Sequence, residues 1–197
     1  EGTAMRLTMV ALGSRGDGQP MVARGQGLSR HGFNVRMASY ASFEGLVRAH
    51  GMEFARIEGD PRQGLDDRAG QQWMESGRSW LRFSRGMRRL AAFHELEKSL
   101  ADTVAACAGS EAVLYTALGA AGYHVAEMLK VPSIYLLLQP MSRSRYEPCL
   151  FMPPLPLGGA YNWWTYLLVE RMVWRTVQPI YNRWRGEALH LHPLPPS

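Results

Sequence analysis

The run Arg6-Leu7-Thr8-Met9-Val10-Ala11-Leu12 leads straight into Gly13-Ser14-Arg15-Gly16-Asp17-Gly18-Gln19-Pro20, and this junction decides the fold. The first seven residues are mostly apolar strand formers. The next eight are turn formers, and Pro20 suits the first turn of a helix. Met21, Val22 and Leu28 read as the body of that helix and Gly32 as its stop. A strand over residues 34–39, a short helix over 43–50 closed by Gly51, and a strand over 53–57 follow. Strand, helix, strand, helix, strand at this spacing predicts a parallel sheet with right-handed crossovers.

Outward from there the pattern changes. Residues 58–70 form a polar loop with Gly59, Asp60 and Pro61, and a helical region follows over about 71–108. The alternation then returns, with a strand at 112–115, a helix at 120–130 and a buried strand at 133–138. A Pro-rich loop over 139–159 leads to a long aromatic-rich helix over 161–189. The expected class is α/β, a Rossmann-like parallel sheet with helices on both faces. It forms one domain over residues 5–190, followed at 191–197 by a stiff, Pro-rich stretch that reads as the start of an interdomain linker.

At 197 residues, 46% hydrophobic and 20% charged, the chain is expected to fold around a true core, which excludes a disordered segment. Cys107 and Cys149 stand alone, in no metal or redox motif and no disulfide framework. Glu170 and Arg171 break the longest apolar stretch, so no membrane span is expected. No signal peptide is visible, residues 1–4 read as preceding a natural start at Met5, and a cytoplasmic location is expected. The net charge of +5 is carried mainly by arginine. It suits an anionic lipid or phosphorylated ligand, or merely a solvated surface. No helix-turn-helix, zinc-finger or RNA-binding signature accompanies it, so no nucleic-acid partner is expected.

In open parallel sheets ligands gather at the carboxyl ends of strands, where the glycine-rich stretch lies. It lacks the Gly-Lys-Ser/Thr of a P-loop and the G-x-S-x-G of a nucleophile elbow. Its glycines, at 13, 16 and 18, miss the dinucleotide spacing. Ser39 and Tyr40 stand where such a fold needs an acid for the ribose. An oxidoreductase is thereby disfavoured. What remains is Asp17, which by spacing alone is either a helix cap or a displayed catalytic carboxylate.

The stretch Gly13-Ser14-Arg15-Gly16-Asp17-Gly18-Gln19-Pro20 closely resembles the opening motif of sterol glucosyltransferases and glycopeptide-antibiotic glycosyltransferases. Further matches follow in order: His50-Gly51-Met52-Glu53-Phe54, Gly59-Asp60-Pro61, Ala121-Gly122-Tyr123-His124-Val125-Ala126-Glu127, Leu138-Gln139-Pro140-Met141, Pro153-Pro154-Leu155-Pro156 and Tyr181-Asn182-Arg183-Trp184-Arg185. The resemblance implies the N-terminal, acceptor-binding half of a GT-B fold. No stretch matches the donor-binding half with its His-Gly-Gly-rich motif, so the C-terminal donor domain is expected to be absent and this chain alone inactive. Where the family usually carries a larger residue after the motif aspartate, this chain has Gly18. Gly25 and Gly27 follow in the helix, each costing about 1 kcal/mol against Ala, so a loose helix is expected.

The resemblance further implies inverting, metal-independent transfer with no cofactor. The sugar would pass from a nucleoside diphosphate, with UDP-glucose the expected donor, to a hydroxyl of a lipophilic acceptor such as a sterol or secondary metabolite. Asp17 matches the general base, since an alcohol attacks well only as its proton is removed. Ser14 and Arg15 match positions that reach the donor diphosphate; from the sequence alone Arg15 equally suits a surface ion pair. His124, at a helix start, either faces the cleft or is a structural histidine, and Gln139 either touches the acceptor or braces its loop. Trp73, Trp80, Trp163 and Trp164 are candidates for an acceptor wall. Arg78, Arg82, Arg85 and Arg89 share one helical face opposite Trp80, Phe83, Met87 and Leu90. That segment suits a peripheral membrane contact, a helix packed on its own domain or a lid over the acceptor. The alternative to an enzyme is a non-catalytic acceptor- or lipid-binding module.

Overall fold

The computed structural model describes residues 4–59, 95–139 and 141–195. They form two compact units, the first of residues 4–59 and 95–138 and the second of 139 and 141–195.

The first unit is a five-stranded sheet made of β1 (Arg6–Val10), β2 (Asn34–Tyr40), β3 (Glu53–Ile57), β4 (Ala112–Tyr115) and β5 (Ser133–Tyr135). Its order is β3-β2-β1-β4-β5, and every pairing is parallel. Val10 is the hub, in register with Ala38 on one side and Tyr115 on the other. Alternation along the strands divides two cores. Met9, Met37 and Leu114 pack with Met21 and Val22 of α1 (Arg15–Arg30) and Val47 of α2 (Glu44–Ala49). Thr8 and Val10 point to the other face. There the Thr8 hydroxyl meets Ser110 Oγ at 2.6 Å, just beyond α3 (Glu95–Cys107). Val10 and Val113 lie under Gly122 of α4 (Ala121–Leu129). Helices therefore cover both faces.

Three expectations are corrected. The first helix begins at Arg15, not near Pro20, because Ser14 is its N-cap and Asp17 closes a capping box with it. Pro20 lies inside the helix, and the carbonyl it leaves without a donor, that of Gly16, belongs to an exposed residue. The anticipated loose helix instead runs unbroken over Arg15–Arg30; Gly25 is buried where a Cβ would meet the sulfur of Met52 and lie 3.1 Å from that of Met9. Finally, the strand expected to be buried over 133–138 is three residues long and exposed, with Ile134 at 51% and Tyr135 at 43%. It is the edge strand, and a short apolar run looks the same whether it lies at the centre of a sheet or at its rim.

The second unit centres on α5 (Gly158–Glu187). The preceding loop is laid on its first turns: Cys149 N–H donates to Thr165 Oγ1 at 2.8 Å, Asn162 Nδ2 to the Arg145 carbonyl at 3.0 Å, and Tyr161 OH to the Pro153 carbonyl at 2.7 Å. Cys149, Met152, Tyr166 and Val169 are buried together. Beyond α5 the chain folds back along the helix. Asn182 exchanges two hydrogen bonds with the backbone of Leu194, and Arg185 Nε donates to the His192 carbonyl at 2.8 Å. The Tyr181-Asn182-Arg183-Trp184-Arg185 stretch, noticed as a family match, thus carries two of the clamps that hold residues 191–195 on the helix. Trp73, Trp80, Arg78, Arg82, Arg85 and Arg89 lie outside the described residues.

Candidate functional site

The site is assembled where β1 ends. Ala11 N–H donates to the Ala38 carbonyl at 3.0 Å, and the buried Ser39 hydroxyl donates to the Ala11 carbonyl at 2.6 Å. Ser39, at the place of a ribose acid in dinucleotide folds, is therefore used to hold the connector between β1 and α1. Gly13 follows with φ at 133°, a conformation that favours glycine. This turn delivers Ser14 to the cap and Asp17 to the third helical position.

Asp17 Oδ2 accepts from the Ser14 N–H at 2.8 Å and from the Ser14 hydroxyl at 3.1 Å. Oδ1 has no hydrogen bond among the described residues, and Asp17 is only partly buried. One oxygen is anchored and the other is open, at a helix N-terminus where unpaired N–H groups and the helix dipole stabilise an anion. Arg15 and Gln19, both exposed, lie one turn apart on the same helix. In the amide orientation that satisfies both groups, the Gln19 oxygen is 3.1 Å from Arg15 Nε. Behind Asp17, Gly18 is buried against the ring of Phe43, whose Cζ would lie 2.6 Å from any Cβ at position 18. The departure at Gly18 is thus matched by an aromatic that fills the vacated volume.

Beside it, β4 ends at Tyr115, and Thr116 N–H donates to the Val10 carbonyl at 3.1 Å. From these adjacent strands the chain leaves in opposite directions, β1 into α1 on one face and β4 into α4 on the other. That divergence is a topological switch point, the usual place for a ligand in an open α/β sheet. The sequence reading passed over Thr116, whose buried hydroxyl has no partner among the described residues. A threonine after a short strand carries no signal until the two strand ends are seen side by side.

The other expected site residues are more scattered. His124 is 4% exposed, the fourth residue of α4, with its ring edge-on to Tyr123 at 5.1 Å. It is thus a buried side chain of the first unit, and a part for it in acceptor binding stays an expectation of the resemblance. Gln139 stands in an exposed bend of the second unit. In α5 Trp163 is half-buried under the Arg143 guanidinium, 5.9 Å from the ring centroid, while Trp164 is 58% exposed.

A Rossmann-like half sheet with this switch point is the architecture of GT-B glycosyltransferases. Two solved structures share the fold. The glycosyltransferase SsfS6 of Streptomyces sp. SF2575 matches with a TM-score of 0.58 at 19% identity, over 97% of this chain and 48% of its own. The glycosyltransferase SnogD of Streptomyces nogalater matches at 0.57 and 16%, over 96% and 42%. Residues 7–146 match the glycosyltransferase family 28 N-terminal domain, and the chain belongs to that family. It is 35% identical over 190 residues to the sterol 3-beta-glucosyltransferase ATG26 of Gibberella zeae, and 34% identical over 191 residues to the sterol 3-beta-glucosyltransferase of Glomerella lagenarium. These alignments span 95% of this chain but only 13% and 12% of those relatives.

Proposed function

We propose that this chain is the acceptor-side part of an inverting, metal-independent glycosyltransferase that moves glucose from UDP-glucose to the hydroxyl of a sterol or similar lipophilic acceptor. The observation that carries the reading is the half-anchored carboxylate of Asp17 at the switch point. The acceptor hydroxyl would approach Oδ1. As its oxygen bonds to the anomeric carbon and the nucleoside diphosphate departs with the bonding pair, its proton would pass to Oδ1, while the two Ser14 bonds keep Oδ2 in place. Arg15, exposed at the first helical position next to the cap, would meet the departing diphosphate, the charge for which a guanidinium fork is suited.

The acceptor class is supported by the sterol glucosyltransferase names of the relatives, the base by geometry. Contact with a membrane through Arg78, Arg82, Arg85 and Arg89 rests on helical spacing in the sequence. So does an acceptor wall of Trp73 and Trp80. The experiment is Asp17→Asn in the complete enzyme, assayed with UDP-glucose and a detergent-dispersed sterol. Turnover should fall by roughly a hundred- to ten-thousandfold, the loss typical of a general base, with stability lowered by only about 0.3–1 kcal/mol, because the Asn oxygen can still accept from the Ser14 N–H and only the favourable charge at the helix N-terminus is lost. A fully active variant would leave Asp17 as a structural member of the capping box and the mechanism without its base, whereas no sugar transfer by the wild-type enzyme would favour the non-catalytic binding module.

A further inference from the structure

One side of α5 is bare. Trp164, Leu168, Arg171 and Arg175 recur at helical spacing and form a single stripe about 17 Å long. Trp164 is 58% and Leu168 46% exposed, and both arginines are exposed. The buried residues of the same turns, Asn162, Thr165, Tyr166 and Val169, lie on the opposite face.

The charges on this surface are uneven. Residues 139–195 hold six arginines against three glutamates, with no aspartate or lysine. Glu170 is taken by Arg143 in a two-pronged contact, with Nη2 to Oε2 at 2.7 Å, and Glu187 by Arg183. Arg171 and Arg175 have no ion pair among the described residues. Exposed Trp and Leu next to unpaired arginines is the composition of helices that seat in the headgroup region of anionic membranes. There the indole and aliphatic groups enter the acyl boundary and guanidinium groups meet lipid phosphates.

We propose that the Trp164–Arg175 stripe docks on an anionic lipid surface. The choice of a membrane over another partner rests in part on the sterol reading above, because a sterol acceptor is reached at a bilayer. The charge argument stands without it. The stripe's residues are other than those of the four-arginine segment at 78–89 in the sequence.

The test uses the full chain and sterol-free vesicles, either phosphatidylcholine alone or with phosphatidylserine. The chain should sediment with the anionic vesicles and release as salt is raised past the screening range. Arg171→Gln with Arg175→Gln should weaken binding by about twenty-fivefold, at about fivefold for each arginine near an anionic surface. Trp164→Ser with Leu168→Ser should abolish it. Thermal melting checks that each variant is folded, and the milder Trp164→Phe should bind while losing quenching by brominated lipid. Asp17→Asn should bind like the wild type, so that failure of the catalytic reading and failure of this one are told apart. Equal sedimentation of all variants, no binding by the wild type, or a self-association lost with Trp164→Ser would each overturn the proposal. The last outcome would assign the stripe to a second copy of the chain.

Discussion

The carboxylate of Asp17 occupies the space that a side chain at Gly13 would need. A Cβ on Gly13 would lie 2.7 Å from Asp17 Cγ, and the backbone there has φ at 133°. Gly13→Ala should therefore push the carboxylate off Ser14, cost about 1–3 kcal/mol in stability and lower turnover as Asp17→Asn does. Gly16→Ala is the control. Its nearest neighbour, Ser14 Oγ, is 3.6 Å away, so stability should hold or rise by up to about 1 kcal/mol. Denaturant melts and turnover of the two variants check this side by side.

Ser14→Ala removes the hydroxyl bond to Asp17 Oδ2 and leaves the 2.8 Å backbone bond. The expected cost is about 1 kcal/mol of helix capping, with a fall in turnover far smaller than that of Asp17→Asn. A loss as large as that of Asp17→Asn would assign the hydroxyl a direct role at the donor.

Gly18 and Phe43 are a size-matched pair. Gly18→Val, which places a larger residue after the motif aspartate, should cost about 1–3 kcal/mol by overpacking. Combined with Phe43→Leu it should cost less than the two single changes added together. A double-mutant cycle on melting measures this, and strict additivity would mean that the pair is uncoupled.

Asn182 holds Leu194 by a donor bond of 3.1 Å and an acceptor bond of 2.7 Å. Asn182→Ala leaves the Leu194 N–H without its side-chain partner. A loss of about 1–3 kcal/mol is expected, together with faster protease cleavage between residues 189 and 195. Asn182→Asp keeps the acceptor and should fall between.

Cys107 is fully buried, and burial pushes its thiol up to about 12 from an ordinary value of 9.0. The folded chain keeps the proton that the unfolded chain gives up, so this contribution is intact below pH 9 and declines as pH rises from 9 towards 12. The slope from this group is up to about 1.4 kcal/mol per pH unit. Cys107→Ala should flatten that part of the stability–pH curve measured by urea melts. The native thiol should also resist alkylation at pH 8.

Much of the fold was legible. Glu53–Ile57 and Ala112–Tyr115 fall where the apolar runs placed them, because short strands between turn signals are marked locally by composition. The site was legible in part. Asp17 was singled out by motif and position, but its bond to Ser14 was not foreseen, because the glycine-rich stretch read as a loop. Thr116 was missed because its relevance comes from lying beside Val10, 106 positions away in the chain.

By itself the amino-acid order determined the succession of strands and helices, the parallel sheet and the exclusion of a dinucleotide fingerprint. These follow from periodicity, capping and glycine spacing, all of which act over a few residues. Tertiary structure alone decided that β5 is an exposed edge, that Phe43 fills the volume left by Gly18, and that residues 191–195 lie clamped on α5 by Asn182 and Arg185. Each depends on groups that meet only after distant segments pair. Burial and the partner of a polar side chain are properties of that pairing, which local pattern does not encode.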